Sequence, residues 1–334
     1  MSYFLSRFLN RYNQCGLTAL VVLTIIMWGC GGRPQPANEQ FVIQSIPVAL
    51  ILEKEIRGRI LGQSIKAPTG LAVDRRGTLF LVDGGSNRVI WFNTDLVALR
   101  SIEGATTRSG LFDEPRSVTV DEDLNLWVAD AGNRRLVQYS ERMEFIDEID
   151  LHDDNNPLSF GHPDGIAVSK FGETYVVDSD NDRIAVLNTF GKIDRFVGDF
   201  GYPGGNLDEP AGMTIDRHDH LYVCDAGNHR VMLYDDRGGI IREITHETLD
   251  EPGSVAIDRG GRVWVLDRVT SLIHCFSADG ELVATVGPMI SGVATALRNP
   301  SDVAFTTEGH LAISDTGNDR LLICRIMYED ARPE

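Results

Sequence analysis

Apolar and polar residues alternate in six short stretches of the chain: GLAVD from Gly70, SVTVD from Ser117, GIAVS from Gly165, GMTID from Gly212, SVAID from Ser254 and DVAFT from Asp302. A period of two over five residues sends successive side chains to opposite faces and predicts a half-buried β-strand. A denser apolar segment follows each one: LFLVD, LWVAD, TYVVD, LYVCD, VWVLD and LAISD, closing at Asp83, Asp130, Asp178, Asp225, Asp267 and Asp315. Their aromatic and β-branched content suits a second strand. Gly77, Gly172, Gly261 and Gly309 stand between the two segments, where a hairpin needs positive φ. Leu124 and Asp219 hold that place in the second and fourth copies, so those turns are expected to differ.

A third strand is predicted to start five residues after the closing Asp, at Arg88, Arg135, Arg183, Arg230 and Arg320. Asn133, Asn181, Asn228 and Asn318 lie between, and Asn suits a left-handed turn position. The Asp and the Arg can meet across that turn as a charge-assisted pair, and five copies in six repeats assign the pair to architecture. The fifth copy lacks it, with Thr270 and Leu272 after Asp267. A fourth strand follows every copy but the last, as in GKIDRFVG from Gly191 and GELVATVG from Gly280. EIRGRILG from Glu55 matches that pattern ahead of the first copy, so the N-terminal segment is predicted to supply the missing outer strand. Such closure would remove the exposed sheet edges of an open array.

Each copy opens on a proline: Pro68, Pro115, Pro163, Pro210, Pro252 and Pro300, spaced 47, 48, 47, 42 and 48 residues apart. A period of this length marks a stack of one supersecondary unit. Repeats such as PRSVTVDEDLNLWVADAGNRRLVQYS from Pro115 and PAGMTIDRHDHLYVCDAGNHRVMLYD from Pro210 resemble NHL repeats. The resemblance covers Ile56 to Ile326. It implies an all-β fold, a six-bladed β-propeller of four-stranded antiparallel blades around a central channel, closed by the N-terminal strand. It does not imply one activity, because propellers host binding modules and enzymes alike.

Length and 43% hydrophobic content allow a substantial core. Formal charge is -18, and the first 29 residues hold Arg7 and Arg11 but no acid, leaving the remainder at -20. That charge repels phosphate backbones and excludes nucleic acid as a natural partner. Arg7 and Arg11 precede an apolar run from Leu17 to Met27, too short for a membrane-spanning helix. Met27-Trp28-Gly29-Cys30 resembles a bacterial lipobox, which implies cleavage before Cys30 and its lipidation; an uncleaved signal anchor is the alternative. The organisation read from the chain is a signal peptide over 1–29, a polar, proline-containing tether over 30–48, the propeller over 49–327 and a tail over 328–334. The body is expected to lie outside the cytoplasm, anchored by lipid to a bacterial membrane at the periplasmic or cell surface. Cys224, Cys275 and Cys324 occupy apolar strand positions, have no close Cys or Cys/His spacing, and read as small buried hydrophobes.

Residues beside the prolines surround one mouth of the channel, and the candidates for chemistry stand there. Asp-Glu-Pro occurs three times, ending at Glu114, Glu209 and Glu251 before their prolines; as structure it is a solvated turn. Arg116, His162, Asp164, Asn299 and Asp302 complete the candidate ligand-binding rim, most of them breaking the six-fold pattern. Ca²⁺ is the one cofactor the rim acids would suit, with Glu114, Asp164, Glu209 and Asp302 as ligands; otherwise none is expected. HDDNNP from His152 lacks EF-hand spacing, and GYPGGN from Gly201 lacks the lysine of a phosphate loop. No G-x-S-x-G or HExxH motif is present.

Among NHL-like propellers, the chain resembles the peptidyl-α-hydroxyglycine α-amidating lyases, which hold zinc with histidines placed directly after the blade proline. Those positions are Thr69, Arg116, Asp164, Ala211, Gly253 and Ser301 here, so that activity is expected to be lost. The preferred reading is an envelope-anchored, monomeric, non-catalytic module that binds a protein, peptide or glycan. The alternative is a metal-dependent propeller enzyme, a lactonase-like hydrolase or a lyase of the kind just named.

Overall fold

The computed structural model describes residues 45–104, 110–151, 160–198 and 206–329. The leader, Cys30, the tether up to residue 44, the run from His152 to Pro157, residues 201–205 and the last five residues lie outside the described residues. Six four-stranded antiparallel sheets follow one another along the chain. Their inner strands are Pro68–Val73, Pro115–Val120, Pro163–Val168, Pro210–Ile215, Pro252–Ile257 and Asp302–Phe305. Each inner strand packs against the next, and the sixth packs against the first. The ring is closed, and the fold is a six-bladed β-propeller.

The last blade is sealed from the N-terminus. Ile46–Arg57 pairs antiparallel with Arg320–Glu329, in register from Ile46↔Glu329 to Arg57↔Arg320. Strand pairing therefore begins ahead of residue 49 and runs beyond residue 327. Leu50 and Ile56 are buried on this strand. Ser291, in the connection from blade five to blade six, bonds its backbone to Leu50 and Leu52 of the same strand.

The core is divided into six apolar clusters, one at each interface between adjacent blades. This explains why the second strands read as unbroken apolar runs. Both faces of each sheet are covered, so Leu126 and Val128 pack toward blade one while Ala129 packs toward blade three. Cys224, Cys275 and Cys324 are free and buried in these clusters. Burial pushes the Cys275 and Cys324 thiols up to about 12, and Cys224 higher still, so they stay protonated and inert.

The hairpins between first and second strands share one geometry, contrary to the expectation for blades two and four. Leu124 (φ 66°) and Asp219 (φ 60°) adopt the left-handed conformation of Gly77 (φ 87°), and all three N–H groups donate to the residue three before, at 3.0 Å. Side-chain contacts offset the cost of a non-glycine there, about 1 kcal/mol. Leu124 is buried, and Asp219 pairs with Lys170 of blade three at 2.5 Å.

The strand-closing Asp is the hub of each blade corner, and all six are fully buried. One carboxylate oxygen accepts the backbone N–H two residues before the blade proline: Lys66, Asp113, Gly161, Asp208, Asp250 and Arg298 in turn. In five blades the other oxygen accepts the Arg Nε at 2.6–2.8 Å. The guanidinium then reaches back to the loop arriving from the previous blade, as Arg88 does to the carbonyls of Ile60 and Gln63. In blade five Thr270 and Glu251 donate backbone N–H groups to Asp267 instead, and its pKa stays below the usual carboxylate value despite burial. The left-handed residue of these turns is the one after the expected Asn: Arg134, Asp182, His229 and Asp319. Asn133, Asn181, Asn228 and Asn318 donate their side-chain amides to the hub carboxylate.

Strand direction puts the prolines, the second-to-third turns and the blade connections on one face. The hairpin turns lie on the opposite face, where the described chain enters at Ile46.

Candidate functional site

An axial channel of about 1030 Å³ is lined by all six inner strands. Below the mouth its lining includes Leu71, Val118, Ile166, Met213, Val255 and Val303, then Val73, Val120, Val168, Ile215, Ile257 and Phe305. Charged groups stand at both ends of these apolar rings: Arg116, Asp164, Asp180, Glu209, Glu251 and Arg268 on the proline face, and Glu122, Lys170, Asp216, Arg217 and Asp219 on the hairpin face.

Of the eight rim candidates, Arg116, Asp164, Glu209, Glu251 and Asp302 line the channel. Arg116 Nη1 is bonded to Asp164 of the neighbouring blade, and its Nη2 lies 3.7 Å from Glu114. Glu114 and Asn299 are exposed residues outside the lining. His162 is half-buried beside the mouth, its Nδ1 2.8 Å from Asp180, which does line the channel. The four acids expected to take Ca²⁺ do not converge: among the described residues no three His, Cys, Asp or Glu side chains are grouped to hold a metal ion.

Asp-Glu-Pro has a backbone explanation. The first acid supplies the N–H to the hub Asp, as Gly161 and Lys66 also do. Glu114 and Glu209 take positive φ before the proline, as Ala67 and Asn299 do, and each donates its N–H to Asn87 or Asp182 of the preceding blade. The Glu209 side chain alone of these four faces the channel.

Asp302 replaces the glycine or serine of the other blades, two residues after the proline. One oxygen accepts Leu71 N–H of blade one at 2.6 Å; the other accepts Ser254 Oγ of blade five at 2.5 Å and its neighbour Val303 N–H at 2.9 Å. It ties three blades together beside the ring closure. Burial pushes its pKa up to about 6 from 3.8, against these hydrogen bonds. A carboxyl whose pKa is raised in the folded state binds its proton more tightly there. The cost of its ionised form is therefore fully present above about pH 6 and is relieved as pH falls toward 3.8. Relative to an Asp302→Ser variant, the native protein should gain about 2 kcal/mol of unfolding free energy between about pH 7.5 and about pH 4.5. Parallel denaturation curves for the two proteins, showing no pH-dependent difference, would refute this placement.

Sequence reasoning missed Arg268 and Asp180. Arg268 follows the hub Asp of blade five, where the other blades have Gly84, Ala131, Ser179, Ala226 and Thr316. It lines the mouth, with Glu251 3.6 Å from its Nε. The signal was the one bulky residue in a column of small ones, in the blade already marked as irregular. On the blade six to blade one side, the hydroxyls of Ser301 and Thr316 are spent on the carbonyls of Thr69 and Pro68.

The fold and the channel define the class of protein: a closed six-bladed β-propeller with a polar, irregular mouth on its proline face. The NHL repeat family model matches residues 207–231, which form the corner and hub of blade four. Human NHL repeat-containing protein 3 is 24% identical over 184 residues, 51% of this chain and 52% of that protein. The chain is a six-bladed propeller that carries an NHL repeat at residues 207–231, and it spans about half the length of the curated NHL relative it matches. Among solved structures, a streptogramin B lyase aligns with a TM-score of 0.62 at 14% identity, covering 82% of this chain and 98% of that one. A gluconolactonase from Xanthomonas campestris aligns at 0.59 and 15%, covering 85% and 97%. At these identities the likenesses show the fold alone.

Proposed function

We propose that the protein is a non-catalytic binding module whose proline-face mouth captures a polar segment of a protein or peptide. The observation that carries this is the mouth itself: charged residues from blades two to five, with Arg116, Asp164 and Arg268 each occurring once at its repeat position, set above apolar channel walls. Repetition accounts for the hub Asp and Arg, but no architectural bond accounts for Glu209 or Arg268 facing the channel. In this reading Cys30 carries the lipid and the module stands outside the cytoplasm. The described chain enters the propeller at Ile46, on the face opposite the mouth. An envelope-extract pull-down should recover a species that is lost when Arg116, Asp164, Glu209 and Glu251 are all changed to alanine. Equal recovery by that variant would sink the reading.

A second reading, a hydrolase or lyase, is favoured by the His162–Asp180 contact, which leaves His162 Nε2 to take a proton at the mouth of a fold shared with a lyase and a gluconolactonase. Lactone turnover that disappears in His162→Ala would replace the binding reading.

A further inference from the structure

We propose that the mouth anchors its ligand through a carboxylate held between Arg268 and Arg116; this rests on the reading of the mouth as a binding site. Blades two and five lie opposite one another in a six-membered ring, so the two guanidinium groups line the mouth from opposite sides. The corner arginines have their donors spent: Arg88, for example, bonds Asp83, Ile60 and Gln63. Arg268 differs. Its Nε is buried without an acceptor, and the nearest Glu251 oxygen, at 3.6 Å, is beyond hydrogen-bond reach. The side chain itself is 40% exposed beside its ion-pair partner Glu251, so the terminal donors of the guanidinium are open to an acceptor supplied from the channel.

The surroundings of Arg268 are shaped to turn it inward. Gly253 follows the blade-five proline, and a Cβ there would collide with Cγ, Cδ and Nε of Arg268. The backbone N–H of Arg268 donates to the Glu251 carbonyl at 2.9 Å, which fixes its Cα at the rim. Three departures in one blade therefore act together: Arg268 for a small residue, Gly253 after the proline, and Leu272 for the corner arginine, which leaves this turn without a second guanidinium. On the far side, Asp164 and Glu114 flank Arg116, and Nη2 keeps only the 3.7 Å approach of Glu114. A planar guanidinium with free donors matches a carboxylate, which can accept two parallel N–H bonds. The carboxylate can be a peptide C-terminus or an acidic side chain.

The test uses the full chain and fluorescent peptides: pentaglutamate amide for side-chain carboxylates, pentaglutamine with a free C-terminus for the terminal one, and pentalysine amide as the opposite charge. Anisotropy titrations should show binding of at least one carboxylate probe, and which one binds identifies the source. Arg268→Gln should weaken it by about tenfold or more, the scale of one charge-assisted bond. Arg116→Gln should act in the same direction. Gly253→Ala, which alters no charge, should also weaken it by displacing Arg268, while thermal melting shows all three variants folded. The proposal is overturned if neither carboxylate probe binds, or if binding survives both arginine substitutions unchanged. Pentalysine binding that is lost in Glu209→Gln would overturn the carboxylate anchor and leave the binding module standing. Failure of every probe, with a blank extract pull-down, would remove both.

Discussion

Replacing Asp83 by alanine is expected to cost about 3–5 kcal/mol of folding stability, the scale seen when one partner of a buried ion pair is removed. Asp83 and Arg88 are both fully buried, 2.7 Å apart. Loss of the carboxylate strands a guanidinium with only the Ile60 and Gln63 carbonyls, and also frees the backbone N–H of Lys66. The blade corner and the incoming loop would loosen together. Arg88→Leu should cost less, because Asp267 shows how backbone N–H groups can satisfy a hub carboxylate opposite a leucine. Denaturant midpoints for the two variants would decide it: a loss below about 1 kcal/mol for Asp83→Ala would mean that the hub is not what holds the corner.

Deleting residues 1–57 is expected to abolish the folded monomer. The deletion removes the whole outer strand of blade six, with Leu50 and Ile56, each worth about 1.5–3 kcal/mol of apolar burial. It also takes Glu55 from Arg320. Arg320–Glu329 would become an open edge, ready to pair with another chain. Size-exclusion chromatography with light scattering should show association or aggregation, and a peptide spanning residues 45–58 added in trans should reduce it. A monomer that melts like the intact protein would show that closure is dispensable.

The two predictions draw on features of different legibility. The hub pair was readable because its partners are five residues apart and recur, so local spacing carries the geometry. Closure was readable because EIRGRILG repeats a pattern missing at the other end, although the pattern placed the strand too late; Ile46 to Lys54 lack the glycine-flanked form of the other fourth strands. The turn at Leu124 was misjudged because a missing glycine was read as a different backbone, whereas burial of the leucine offsets the strain. Asn133 and its counterparts were assigned the left-handed position, whereas they serve the carboxylate and pass that position to the next residue. Their side chains are the same length as that of Asn87, which does take it, so spacing from the Asp was the missing discriminator.

The rim was the least legible part. Glu114 and Glu209 occupy equivalent positions with equivalent backbone bonds, yet one side chain lies outside the channel lining and the other within it. Asp302 lines the channel and is also an inter-blade tie, which its sequence position does not reveal, because Leu71 and Ser254, from the two adjoining blades, present donors to it.

By itself the sequence determined the repeat, the strands and the identity of the corner pair, because these depend on contacts within a few residues of one another. Tertiary structure decided which charges meet. Arg116 and Asp164, or Asp302 with Leu71 and Ser254, come together only when the blades are wrapped to a common axis, and the closing strand from Ile46 to Arg57 is what fixes that wrapping.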